Sequence, residues 1–121
     1  MAIEVKASGL SQTWNQSASS TPRFDVAPQK TAWNADTDDW VTYDPPQRTA
    51  DVYVFCLHKA LPATNKNVKD TNTWVFWVVA TRTLDEVVGG QKTLGLKKLD
   101  SLGPRLPWNG IRAAVDGCQS A

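Results

Sequence analysis

Glu4-Val5-Lys6 sets an acid and an amine two residues apart, in a short stretch where Ile3, Val5 and Ala7 alternate with Glu4, Lys6 and Ser8. Strand side chains leave the backbone on opposite faces in turn, so Glu4 and Lys6 project from one face. A carboxylate of this kind is a hard oxygen ligand for a divalent cation. An ammonium beside it can orient a water and offset the charge that builds on a phosphate under attack. The triplet alone also describes any half-buried strand with a surface ion pair, so its meaning rests on its setting.

The setting is an ordered series of segments. Glu4-Val5-Lys6-Ala7-Ser8 runs on to Gln12-Thr13-Trp14 and to Arg23-Phe24-Asp25-Val26-Ala27-Pro28. Ala50-Asp51-Val52-Tyr53-Val54-Phe55, Trp74-Val75-Phe76-Trp77-Val78-Val79, Thr81-Arg82-Thr83-Leu84-Asp85 and Gly90-Gln91-Lys92-Thr93-Leu94 follow. This series resembles the C-terminal half of bacterial proteins of the restriction-endonuclease-like, PD-(D/E)xK superfamily. The resemblance spans nearly the whole chain, and Glu4-x-Lys6 is its one chemically specific motif.

The resemblance implies a mixed sheet flanked by helices and Mg²⁺-dependent cleavage of DNA phosphodiesters. In that reading Glu4 and the backbone carbonyl of Val5 hold the metal, Lys6 is the catalytic lysine, and Gln12 supports the site. The superfamily also carries a metal-binding Asp on a strand before the E-x-K strand, where this sequence has only Met1, Ala2 and Ile3. The chain therefore reads as one partial, N-terminally truncated domain over residues 1–121. The alternative is a non-catalytic module that binds nucleic acid or a protein.

Other residues offer competing chemistry. Asp25 and Asp51 are the nearest substitutes for the missing acid, although an Asp within or opening a strand more often terminates or caps it. His58, the single histidine, closes an apolar run with no nucleophile in a recognisable context, so a hydrolase triad has no support. Gly90-Gln91-Lys92-Thr93 lacks the spacing of a phosphate-binding loop. Trp14, Trp33 and Trp40 would stack on bases if exposed, but such residues more often cover the edge of a small core.

Six tryptophans are many for 121 residues, and Trp74 and Trp77 read as core. A net charge of +1 excludes binding of nucleic acid through bulk charge alone. Acids cluster at Asp36, Asp38, Asp39, Asp44 and Asp51 around Arg48. Arg82, Lys92, Lys97, Lys98, Arg105 and Arg112 enrich the C-terminal third, a basic surface that solvation explains well enough. Cys56 and Cys118 form neither a disulfide framework nor a zinc motif. With no signal peptide or membrane-length apolar run in view, a cytoplasmic protein away from membranes is expected.

The elements that must position Glu4 and Lys6 follow from periodicity. Residues 51–58 and 73–80 are apolar on both faces, the mark of strands covered on both sides in an α/β fold. One sheet of four or five strands is expected from residues 2–8, 22–27, 40–43, 51–58 and 73–80. Residues 30–46 suggest a hairpin with a polar tip between aromatic arms, ended by Pro45-Pro46. Thr83-Leu84-Asp85-Glu86 has the form of a capping box, with Gly89-Gly90 as the stop. A brief extended piece follows over residues 91–96 and helical turns over 97–102. A last helix over 110–117, with Asn109 as its cap, is expected to pack on one face of the sheet. The missing front half leaves sheet edges unpaired, which favours a homodimer.

Overall fold

The computed structural model describes residues 1–10, 22–60 and 63–120, and the chain is a mixed α/β protein. Strand β1 is Ile3–Gly9, β5 is Val52–His58 and β6 is Trp74–Ala80. They form a three-stranded sheet in the order β1-β5-β6, with β1 parallel to β5 and β5 antiparallel to β6. The two segments expected to be apolar on both faces are thus neighbours, with β5 central and β1 on the edge.

Both faces of β5 and β6 are covered. On one, Tyr53, Phe55, Leu57, Val75, Trp77 and Val79 pack with Phe24, Val26, Leu84, Val88, Leu94 and Leu99 to form the core. Phe24 meets Phe55 edge to face at a centroid separation of 5.1 Å. On the other face, helix α3 (Ile111–Ser120) lies beside β6, and Trp108 meets the ring of Phe76 at 5.9 Å. Trp77 is fully buried and donates its indole N–H to Asp100, whereas Trp74 is only partly buried.

The single sheet of four or five strands does not form. Strand β2 (Arg23–Asp25) pairs antiparallel with β7 (Thr93–Gly95), and β3 (Gln29–Asn34) pairs with β4 (Asp39–Gln47) as a separate hairpin. β2 has three residues, and its Phe24 is sunk into the core face of the central sheet. It contributes packing there rather than a hydrogen-bonded edge. The hairpin has the expected polar tip, Ala35 to Asp38, but β4 continues through Pro45-Pro46 to Gln47 instead of ending at the prolines. A two-stranded ribbon is all edge, so a missing proline N–H costs it little there.

Trp33 and Trp40 face each other across the hairpin, edge to face at 5.5 Å, and stay 50% and 64% exposed. At that exposure they do not cover a core edge. Trp14 lies outside the described residues.

Helix α1 is Thr81–Val87, following Ala80 without a side-chain cap. It starts before the expected capping box because β6 runs straight into it, where Thr81 N–H donates to Asp51 O at 3.0 Å. Thr83 therefore sits inside the helix. Val88 closes α1, and Gly89 follows with φ +52°, a conformation that glycine adopts without steric cost. Helix α2 is Leu96–Leu102. A 3₁₀ turn, Trp108–Gly110, precedes α3, so Asn109 lies inside that turn rather than capping the helix.

Candidate functional site

β1 joins β5 through the backbone groups of its even-numbered residues. Ala2 O accepts from Val52 N at 3.3 Å, and Leu10 N donates to His58 O at 3.0 Å. The ladder between these ends alternates, so Glu4, Lys6 and Ser8 also turn their backbone groups to β5. The N–H and C=O of Ile3, Val5 and Ala7 point the other way, off the sheet. No described strand pairs with that edge. The start of β1 is clamped by Asp51, whose carboxylate accepts from Ala2 N at 2.8 Å while its own N–H donates to Ala2 O at 2.8 Å.

Register sets the faces. Glu4 lies beside Tyr53 and Lys6 beside Phe55, so both rise from the side of the sheet that holds the core aromatics. Lys6 Nζ lies 3.3 Å from Glu4 Oε1, and both side chains are partly exposed. Ile3 and Val5 point to the opposite face and are exposed, with Val5 at 62%. The Val5 carbonyl and the Glu4 carboxylate thus stand at one edge, which no described strand extends.

A second polar group borders this rim. Tyr53 is buried, and loss of solvent pushes its phenol above the ordinary tyrosine range. The nearby Arg48 cation opposes that shift, while the Glu4, Asp85 and Asp25 carboxylates add to it. The Arg48 guanidinium is buried. Its Nη1 donates to Asp85 Oδ1 at 2.8 Å, its Nε to Val26 O at 2.9 Å and its Nη2 to Gln91 O at 3.3 Å. Neither Tyr53 nor Arg48 stood out in sequence. Tyr53 is hidden in an apolar run, and the Asp85 partner of Arg48 lies 37 residues away. The position of Arg48 amid an otherwise acidic segment was the only signal.

The remaining candidates have structural work. Asp25 Oδ1 accepts from Ala27 N at 3.0 Å, closing the turn after β2. The buried His58 has its Nε2 3.0 Å from the hydroxyl of Thr73. Burial pushes the Cys56 thiol up, which keeps it protonated and poor as a nucleophile. Gln12 lies outside the described residues. A cleft of about 570 Å³ lies at the end of the sheet where β1 and β5 begin, lined by Met1, Asp51, Thr81, Arg82 and Asp85 rather than by the Glu4–Lys6 pair.

The donor set bears on a metal. Among the described residues no group of three His, Cys, Asp or Glu side chains is placed to hold one. One carboxylate and one outward carbonyl remain, both hard oxygen donors. Mg²⁺ is commonly held by one or two carboxylates, waters and the phosphates of its substrate, so this set suits a cation that arrives with a phosphate. It does not suit a caged structural metal.

No family model matches the chain, and no curated protein or solved structure matches it. Among the described residues no helix is long and apolar enough to cross a membrane.

Proposed function

We propose that β1 carries the Glu–Lys half of a metal-dependent phosphodiesterase site, in a partial restriction-endonuclease-like core that acts on DNA. The observation that supports this reading most is the placement of Glu4 and Lys6. They stand side by side on one face of β1, an edge strand among the described residues, with the Val5 carbonyl turned outward next to them.

Glu4 and the Val5 carbonyl would hold Mg²⁺. When bound, the ion supplies charge neutralisation to a phosphate and lowers the pKa of a water. Lys6 then has two tasks. Its ammonium offsets charge on the pentavalent phosphate, and its N–H groups fix the direction of the attacking water. Lys6 Nζ lies 3.3 Å from Glu4 Oε1, so the carboxylate that would hold the ion also keeps the ammonium beside the place a phosphate would occupy.

The test is nicking of supercoiled plasmid with Mg²⁺ or Mn²⁺, by this chain and by the chain extended upstream in its natural reading frame. Cleavage that Glu4→Ala and Lys6→Ala both abolish supports the assignment. Cleavage untouched by either substitution removes the two residues from the site. Inertness of both proteins replaces the reading with a non-catalytic module that binds nucleic acid or protein.

A further inference from the structure

The outer edge of β1 is self-complementary in three independent respects, and we propose that it pairs with β1 of a second copy, antiparallel, about a two-fold axis through Val5. The first respect is the phase of the hydrogen bonds. Ile3, Val5 and Ala7 present both backbone groups outward. In an antiparallel pair, directly opposed residues that exchange both bonds must each be of this outward kind. An axis through Val5 opposes Val5 to Val5 and Ile3 to Ala7, all of the right kind.

The second respect is charge. Shifting the axis by one residue keeps the bonding phase but sets Glu4 against Glu4, or Lys6 against Lys6. Like charges directly opposed are destabilising. The axis through Val5 sets each Glu4 opposite the Lys6 of the other copy, so two ion pairs form between chains where each chain now closes its own at 3.3 Å. Among these three neighbouring registers, charge selects one.

The third respect is the apolar face. Ile3 and Val5 are 47% and 62% exposed on the side where α3 packs. Opposed residues in an antiparallel pair share a face, so the axis stands perpendicular to the sheet. Ile3 and Val5 of both copies then meet in one strip between the two α3 helices. The product is a continuous six-stranded sheet, three strands from each copy, closed by an isologous contact.

This pairing uses only the edge, its charges and its apolar face, so it does not depend on the catalytic reading. It engages the Val5 carbonyl and the Glu4 carboxylate, and so competes with a cation for them.

Sedimentation or light scattering of the purified chain, read as a concentration series, tests it. The expected result is a reversible dimer. Val5→Pro removes an N–H that bonds nothing within the chain's own sheet, so this variant keeps its circular dichroism and becomes monomeric. Glu4→Lys and Lys6→Glu are each monomeric alone. Mixed in equal amounts they form a mixed dimer, and the double swap in one chain restores self-association. A chain that is monomeric throughout the series overturns the proposal. So does a dimer that survives Val5→Pro, or single-charge variants that ignore each other when mixed.

Discussion

Arg48 Nη1 donates to Asp85 Oδ1 at 2.8 Å, with the guanidinium almost wholly buried and the carboxylate about half exposed. The same guanidinium reaches Val26 O and Gln91 O, so one cation ties the end of β2, helix α1 and the chain before β7 together. These are the elements that lay Phe24 and Leu94 over the sheet. Asp85→Ala leaves the buried cation without its counter-charge, at a cost of about 1–3 kcal/mol, toward the low end because water already screens the exposed carboxylate. Arg48→Ala strands two carbonyls and removes buried contacts, so it costs more. The double variant falls short of the sum of the singles, because the pair shares one interaction. Urea denaturation of the four proteins checks this, and strict additivity would contradict it.

Tyr53 gives the fold a high-pH limit. Burial raises its pKa in the folded chain, helped by the carboxylates of Glu4, Asp85 and Asp25. The folded state therefore keeps the phenol proton at a pH where the unfolded chain has lost it. Stability is whole below about pH 10, the unfolded value, and falls as pH rises through the raised folded value. Tyr53→Phe cannot lose that proton, so its stability curve declines less above pH 10. Thermal unfolding of both proteins across that range is the check. Parallel curves would place the phenol in water.

The residues that fix the sheet were legible because their pattern is local. Val52–His58 and Trp74–Ala80 are apolar on both faces, and both are buried strands. The alternation that put Glu4 and Lys6 on one face of a first strand is also what the fold has, and so are the hairpin with aromatic arms and the last helix against the sheet. Strand partnership was not legible. Nothing local to Arg23-Phe24-Asp25 says that it pairs with Thr93–Gly95, nor that the hairpin stands apart from the central sheet. The start of α1 was misplaced because Thr83-x-x-Glu86 satisfies a capping pattern, while the anchor that matters is a backbone bond from Thr81 to the distant Asp51. Of the site, the pairing of Glu4 with Lys6 follows from strand geometry. The Arg48–Asp85 pair and the charged surroundings of Tyr53 depend on long-range contacts that no spacing encodes.

The division of labour between Glu4 and Lys6 is the central claim, and the Mg²⁺ dependence of plasmid cleavage tests it most directly. The measurement is the initial rate against Mg²⁺ concentration for the cleaving form of the chain, alongside Glu4→Gln and Lys6→Ala. If Glu4 ligates the ion as proposed, Glu4→Gln raises the half-saturating Mg²⁺ concentration by at least the roughly 10–100-fold that loss of a residue merely supporting a ligand costs. On the same assignment Lys6→Ala leaves that concentration within a few-fold and lowers the saturated rate by roughly 10²–10³, the loss usual when one preorganised electrostatic donor is removed. Equal metal dependence in all three proteins, or a Lys6→Ala chain that cleaves at the full rate, would contradict the account.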